Sequence, residues 1–207
     1  MSRPLQSRES LSLILASGSP TRRDLLAGAG LSFEVIPSSV DEEEAKASLR
    51  AEGASVARAA ETLAELKALA VSRARPNALV IGADQLLECG GEWFDKPTDR
   101  LAALAQLRKL SGRSHRLFTA VCLLQGGRRL WHHNAVVELT MRSLSEPFLE
   151  SYLEAAGDRI LSSVGGYQLE GLGAQLFHRI DGDFFTVLGL PLLPLLEVLR
   201  ARGVLPS

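Results

Sequence analysis

Two arginines stand where a strand runs into a helix near the start of the chain. The apolar run from Leu11 to Ala16 suits a buried strand, Ser19 is a natural N-cap, and Pro20 fits the first helical position. A helix N-terminus presents unpaired N–H groups and a partial positive charge, so Arg22 and Arg23 are unfavourably placed there unless an anion compensates them. The pattern fits a phosphate site, and it also fits a capped surface helix with two solvated arginines.

A carboxylate and a lysine form a second candidate group. Asp84, followed by Gln85, ends the apolar run from Ala78 to Ala83, and acids at the carboxyl ends of interior strands usually face a cleft. Lys96 follows a predicted hairpin turn at 90–91 and is one of four lysines against nineteen arginines. A compact ammonium suits a phosphate or metal-bound oxygen, although a surface lysine without a function explains Lys96 equally well.

A glycine-rich segment near the C-terminal end forms a third group. Five glycines lie from Gly165 to Gly182, with Glu170, Asp181 and Asp183 among or beside them. Glycine permits close approach of backbone to a ligand, so a ligand-binding loop fits this segment. A set of tight turns between short strands is the alternative.

The elements that must position these residues indicate an α/β fold with a mixed sheet flanked by helices. The predicted strands run from Leu11 to Ala16, Ser32 to Ser38, Ala78 to Ala83, His115 to Leu124 and Arg129 to Met141. The predicted helices run from Glu42 to Arg50, Ser55 to Arg73, Asp99 to about Leu110 and Ser145 to Ala156, with a last one starting at 189–191. Residues 11–207 form one domain in this interpretation, residues 1–10 form a polar, mobile arm, and a lobe break is considered near Leu110 to His115.

The composition excludes several classes of protein. A chain of 207 residues with 46% hydrophobic content can bury a substantial core. A net charge of −1 gives no basic face for a polynucleotide. Cys89 and Cys122 lack metal-ligand spacing, no export segment precedes Leu11, and the apolar stretch from Val187 to Leu196 is too short to span a bilayer. We therefore expect a cytoplasmic protein with no membrane and no nucleic-acid partner.

In order and spacing, segments along most of the chain resemble the Maf-like nucleotide pyrophosphatases, which are related in fold to the inosine triphosphatases. The matching segments are Leu15–Leu26, Val40–Glu42, Leu63–Ala68, Ile81–Gln85, Lys96–Pro97, Leu110–His115 and Tyr167–Leu192. The resemblance implies a twisted mixed sheet in two closely packed lobes with a cleft between them. It also suggests a homodimer.

The activity that this resemblance implies is divalent-metal-dependent hydrolysis of a nucleoside triphosphate between the α and β phosphates. Asp84 falls on the position regarded in the family as the proton acceptor, and Glu42, which belongs to an acidic pair with Asp41, is the second catalytic residue that the resemblance implies. The implied ligands of a Mg²⁺ or Mn²⁺ cofactor are Asp41, Glu42 and Asp84, because hard cations prefer oxygen ligands. The implied triphosphate contacts are Ser17, Arg22, Lys67 and Lys96.

The implied substrate depends on positions thought to set base choice in the family. Gln85 and Glu170 look more like the branch associated with 7-methyl-GTP than the branch associated with dTTP and UTP, although Thr21 replaces an aromatic residue common there. A carboxylate at Glu170 can accept from the N1–H and N2 amino group of guanine. We expect a 7-methyl-GTP-like substrate. The alternatives are a dTTP or UTP pyrophosphatase, a sugar-phosphate or nucleotide transferase, and a non-catalytic nucleotide-binding regulator of cell division or septum formation.

Overall fold

A computed structural model describes residues 12–206. Its strands are β1 (Leu13–Leu15), β2 (Glu34–Val35), β3 (Leu79–Cys89), β4 (Glu92–Phe94), β5 (Ser114–Gln125), β6 (Arg128–Met141) and β7 (Phe177–Asp181). Its α-helices are α1 (Pro20–Gly28), α2 (Glu42–Ala51), α3 (Val56–Ala74), α4 (Arg100–Leu110), α5 (Glu146–Ala156), α6 (Phe184–Val187) and α7 (Leu192–Ala201). Short 3₁₀ helices cover Gly157–Ser162, Val164–Gly166 and Leu172–Leu176. The predicted arm at residues 1–10 lies outside the described residues.

The strands form a mixed sheet, which confirms the predicted α/β class. The hydrogen-bonded order is β2-β1-β3-β5-β6-β7, and β4 pairs with β3. Strand β1 is parallel to both β2 and β3, whereas β4 is antiparallel to β3 and β7 is antiparallel to β6. Crossovers through helices separate the parallel strands along the chain, as parallel pairing requires.

The described chain divides into two compact units. The first unit contains residues 12–85, 119–135 and 189–206, and the second contains residues 86–118 and 136–188. The segment from Leu110 to His115, which the sequence suggests as the place of a lobe break, lies within the second unit. The cleft expected between two lobes stays a prediction.

Helix α3 lies directly on β3 in the first unit because Gly82 has no side chain. A Cβ at Gly82 would overlap the backbone oxygen of Ala64 and lie 2.7 Å from the Cβ of Ala68. Residues two apart on a strand share a face. Asp84 therefore faces the same helix as Gly82 does, and α3 carries Lys67 one turn beyond Ala64.

The second unit has its own hydrophobic core. Aromatic and aliphatic side chains from its strands and helices meet there, including Leu87, Leu107, Leu139, Leu153 and Tyr167. Each of these side chains is at most 5% exposed. Burial on this scale contributes roughly 1.5 to 3 kcal/mol for each large apolar side chain.

Local sequence signals predicted the helices better than the strands. Ser19, Asp99 and Ser145 accept hydrogen bonds from the backbone at the starts of α1, α4 and α5, as their capping sequences predict. The strand predicted from Ser32 to Ser38 is too long, because only Glu34–Val35 pairs with β1. The first strand is likewise limited to Leu13–Leu15.

The described helices include none that is both long enough and apolar enough to cross a membrane.

Candidate functional site

A buried lysine joins two carboxylates in the first unit. The Nζ atom of Lys67 lies 2.6 Å from Oδ1 of Asp84 and 2.8 Å from Oε2 of Glu42. Lys67 and Asp84 are each 5% exposed, whereas the side chain of Glu42 is 42% exposed. The structure thus brings together three residues that are distant in sequence, with Glu42 on the solvent side of the group.

Asp84 does not end its strand, contrary to the prediction. Strand β3 continues through Leu86, Leu87 and Glu88 to Cys89, and only Gln85 within this continuation is partly exposed. The apolar pattern therefore extends beyond Ala83, and it places the carboxylate of Asp84 in the interior of a strand. A carboxylate at such a position must find charged or polar partners within the fold.

One carboxylate oxygen of Asp84 has no partner. Oδ2 is buried without a hydrogen bond, whereas Oδ1 accepts from Lys67. Burial raises the pKa of Asp84 above its ordinary value, and the charges of Lys67 and Arg22 oppose this effect. Glu42 raises the pKa of Asp84 further because it carries the same charge. Oδ2 is therefore a buried acceptor that can take a proton or a cation.

Arg22 is held in a fixed position at the start of α1. Its Nε donates to the backbone oxygen of Gly189 at 2.7 Å, and its Nη1 donates to Oγ of Ser17 at 3.1 Å. Burial lowers the pKa of Arg22, while the charges of Asp84 and Glu42 raise it. The guanidinium remains charged, since its ordinary pKa is far above neutrality.

The two adjacent arginines have different environments. Arg22 is only 9% exposed, whereas the side chain of Arg23 is 54% exposed and forms an ion pair with Asp24 at 2.9 Å. The surface-helix interpretation thus describes Arg23, and the phosphate-site interpretation remains for Arg22. A local sequence pattern could not separate them, because the difference comes from Gly189, which lies far along the chain.

Gln85 contacts the strand beside its own. Its Nε2 donates to Oγ1 of Thr119 on β5 at 2.9 Å, and Thr119 is 1% exposed. Thr119 is not among the site residues predicted from the sequence. The available signal was its register with His115 and Leu117, which makes Thr119 a polar residue at a position where the strand alternation predicts a buried one. Thr21, by comparison, is partly exposed in the first turn of α1.

Asp41 has a structural task at the start of α2. Its Oδ1 accepts from the backbone N–H of Glu44 at 3.0 Å, which makes Asp41 the N-cap of that helix. Within residues 12–206, no group of three or more His, Cys, Asp or Glu side chains is arranged to hold a metal ion. The structure therefore brings Glu42 and Asp84 to one lysine without assembling the predicted trio, and Asp41 as a metal ligand stays a prediction.

The remaining predicted site residues belong to the second unit. Lys96 is exposed just after β4, and Glu170 is exposed in a turn before the 3₁₀ helix Leu172–Leu176. Their roles in binding and base choice stay predictions.

Two acidic residues of the glycine-rich segment are used locally. Asp181 pairs with Arg179, and Asp183 caps α6 by accepting from the backbone N–H of Thr186 at 2.7 Å. Gly165 has a φ of +79°, and a Cβ there would lie 2.7 Å from the ring of Tyr167. These contacts support the interpretation of tight turns for this part of the segment.

Comparison with known proteins relates this chain to one family and to proteins named as pyrophosphatases. The sequence model of a family described as "Maf-like protein" matches residues 12–202. A protein of Paramagnetospirillum magneticum named "Nucleoside triphosphate pyrophosphatase" is 55% identical over 93% of this chain and 99% of its own. A protein of Hyphomonas neptunium with the same name is 54% identical over 96% of this chain and all of its own.

A third relative carries a more specific name. A protein of Brucella abortus named "7-methyl-GTP pyrophosphatase" is 50% identical over 91% of this chain and 94% of its own. Among solved structures, lipoprotein GNA1162 from Neisseria meningitidis aligns with 74% of this chain at 16% identity, but its TM-score of 0.29 is too low to support any conclusion.

Proposed function

Because this chain belongs to the Maf-like protein family, we propose that it is a house-cleaning nucleoside triphosphate pyrophosphatase. It hydrolyses the anhydride between the α and β phosphates of a modified nucleoside triphosphate, and it releases the nucleoside monophosphate and pyrophosphate. The names of the curated relatives support this reaction. The observation that carries the proposal is the buried carboxylate of Asp84, fixed through Oδ1 by Lys67 and unpartnered at Oδ2.

Asp84 acts as the proton acceptor for the attacking water in this proposal. Lys67 holds Oδ1, so Oδ2 is the oxygen that takes the proton. Burial keeps the pKa of Asp84 above its ordinary value, which makes its carboxylate a stronger base than an exposed aspartate. Lys67 and Arg22 oppose this effect of burial, because their positive charges stabilise the charged form of the carboxylate.

The cationic side chains hold the triphosphate. Catalysis of phosphoryl transfer depends mainly on positioning the substrate and on neutralising the negative charge of its phosphates. In this proposal Arg22 and Lys67 do both. Ser17 and Gly189 orient the guanidinium of Arg22 before any substrate arrives. We propose Lys96 as a further phosphate contact on the basis of the sequence resemblance.

The residues present fit a divalent cation. Asp84 provides a buried carboxylate oxygen without a partner, and Glu42 provides a partly exposed carboxylate that reaches the same lysine. Glu42 would hold the cation, the resemblance adds Asp41, and the negative charge of Asp84 would attract the cation while Oδ2 stays available for the proton of the water. When bound, Mg²⁺ or Mn²⁺ neutralises phosphate charge and lowers the pKa of a coordinated water.

We propose a 7-methyl-GTP-like substrate. The name of the Brucella relative supports this choice, as do Gln85 and Glu170, whose types match that branch of the family. A carboxylate at Glu170 only accepts hydrogen bonds, and guanine presents two donors side by side. Hydrolysis of dTTP or UTP is the competing outcome.

We also propose that the protein is a cytoplasmic homodimer. The dimer rests on the family resemblance. A reducing compartment is supported by Cys89 and Cys122, which are both buried and free.

The proposed reaction is tested by identifying products. Purified protein is incubated with 7-methyl-GTP, GTP, dTTP, UTP and the other standard triphosphates, with Mg²⁺ or Mn²⁺ and without an acceptor. We expect equimolar monophosphate and pyrophosphate. Release of diphosphate and inorganic phosphate, or no turnover of any triphosphate, would contradict the proposal.

A further inference from the structure

A tight turn places Glu170 at the surface of the second unit. The backbone N–H of Gly171 donates to the carbonyl oxygen of Gln168 at 3.2 Å, which closes a turn over residues 168–171. Glu170 is the third residue of this turn and is exposed. The position of its carboxylate therefore depends on whether the 168–171 turn stays closed.

The turn packs against a buried glycine. Gly173 is buried, whereas Leu172 and Ala174 on either side of it are exposed. A Cβ at Gly173 would overlap the backbone oxygen of Gln168 and lie 2.9 Å from its backbone nitrogen. Both atoms belong to backbone, which cannot move aside as the end of a flexible side chain can. A side chain at position 173 must therefore displace either the turn or the 3₁₀ helix that contains Gly173.

Both ends of this segment are anchored. Tyr167, directly before the turn, is 4% exposed, and its hydroxyl shares a hydrogen bond of 2.8 Å with Nε2 of His115. At the end of the 3₁₀ helix, Leu176 is 0% exposed, and its backbone oxygen accepts from the N–H of Arg142 at 2.8 Å. Because the two ends are held, the displacement caused by an added Cβ falls on the 168–171 turn between them.

We propose that Gly173 determines substrate choice, because its missing side chain lets the 168–171 turn close and present Glu170 to the base. This inference rests on the proposed function, with Glu170 as a residue of base choice. A carboxylate only accepts hydrogen bonds. A guanine-type base offers it the N1–H and the N2 amino group side by side, whereas uracil offers one N–H between two carbonyl oxygens. An opened turn weakens this discrimination.

The direct test adds only the atom that the closed turn excludes. In Gly173→Ala, the ratio of kcat/KM for 7-methyl-GTP over UTP should fall about 3- to 10-fold, which corresponds to about one hydrogen bond. Ala174→Ser is the matched control, because it also adds one heavy atom to the same 3₁₀ helix but at an exposed position. Its ratio should remain that of the wild type. An equal loss of kcat/KM for both substrates in Gly173→Ala would overturn the inference, because it would indicate a structural role only.

A double-mutant cycle shows whether Gly173 acts through Glu170. In a Glu170→Gln background, Gly173→Ala should leave the substrate ratio unchanged. Persistence of the full effect of Gly173→Ala in that background would overturn the inference.

Hydrogen exchange of the Gly171 amide, measured by NMR, tests the turn independently of activity. This N–H closes the turn, so its exchange with water should accelerate in Gly173→Ala and stay at the wild-type rate in Ala174→Ser. Unchanged exchange in Gly173→Ala would contradict the inference. A wild-type protein that turns over no triphosphate would instead contradict the proposed function, and the exchange rates would still decide whether Gly173 closes the turn.

A second variant loosens the turn from its first residue and decides the matter if Gly173→Ala does not fold. Oγ of Ser162 donates to the backbone oxygen of Arg159 at 2.7 Å and accepts from Nε2 of Gln168 at 3.1 Å. Ser162→Ala releases Gln168 without adding an atom to the turn. Exchange at Gly171 should accelerate, and the substrate ratio should fall in the same direction as in Gly173→Ala. A wild-type ratio in this variant would count against the inference.

Discussion

The buried imidazole of His115 should make the stability of this protein fall steeply in mild acid. His115 is 2% exposed, its Nε2 shares a hydrogen bond of 2.8 Å with the hydroxyl of Tyr167, and its Nδ1 has no partner. Burial lowers the pKa of His115 from 6.5 to about 4. A second proton on the imidazole would place a charge in the core of the second unit, and the N–H at Nδ1 would have no acceptor there.

The sign and size of the effect follow from proton linkage. The unfolded chain binds a proton at His115 more readily than the folded chain, so the stabilisation from the neutral imidazole is complete above the unfolded pKa of 6.5. It is lost as the pH falls towards the folded pKa of about 4. Between pH 7.5 and pH 4.5 this single group removes about 2.5 kcal/mol from the free energy of unfolding.

Urea unfolding of wild type and His115→Gln across this pH range measures the effect. The variant lacks the titrating group but keeps a polar atom near Tyr167, so its free energy of unfolding should fall less than that of the wild type by about 2.5 kcal/mol. His178→Gln, which removes an exposed histidine of β7, is the control and should retain the wild-type pH dependence. A gap between wild type and His115→Gln that is the same at both pH values would refute the reasoning.

Three further outcomes follow from the contacts. Arg22→Ala should weaken transition-state binding, as calculated from kcat/KM, by roughly 2 to 4 kcal/mol. Arg23→Ala should change kcat/KM by less than about twofold, and equal effects of the two variants would contradict the assignment of the phosphate contact to Arg22 rather than Arg23. Gly82→Ala should lower the free energy of unfolding by about 1 to 3 kcal/mol, because its Cβ would be overpacked against α3. A Cβ at Gly28 would lie in open space, so Gly28→Ala should leave the free energy of unfolding unchanged. Urea unfolding of both variants measures the difference. Glu170→Gln should narrow the preference for 7-methyl-GTP over UTP about 10-fold, and an unchanged ratio of kcat/KM would exclude Glu170 from base choice.

Signals confined to a few residues were predictable from the sequence. Ser19 with Pro20, and Asp99 before α4, mark helix starts because a cap satisfies backbone N–H groups within one turn. The hairpin turn at Gly126 and Gly127 needs positive φ at both positions, and both glycines have it. These features depend only on residues that are neighbours in the sequence, so the sequence alone is enough to predict them.

Features set by distant residues could not be predicted in the same way. The burial of Arg22 depends on the backbone oxygen of Gly189, and the arrangement of Asp84 depends on Lys67, which α3 presents because Gly82 allows close packing. The resemblance to a family singled out Asp84 and Lys67. Only the structure shows that they form an ion pair with one carboxylate oxygen left over.

The family resemblance implies that Asp41 is a metal ligand, but it does not indicate that Asp41 is also a helix N-cap. An aspartate followed by three glutamates is a strong helix start, and the side chain of Asp41 caps α2. Capping and ligation compete for the same carboxylate oxygens. A spacing pattern cannot decide between them.

The most direct test of the account is the rate of pyrophosphate release by Asp84→Asn. The substitution keeps the size of the side chain but removes the proton acceptor at Oδ2, so kcat should fall about 10² to 10⁴-fold. Circular dichroism and a thermal melt show whether the variant stays folded. Loss of turnover in a folded variant is the result that the account predicts, and a kcat within a few-fold of wild type would contradict the assignment of Asp84 as the proton acceptor.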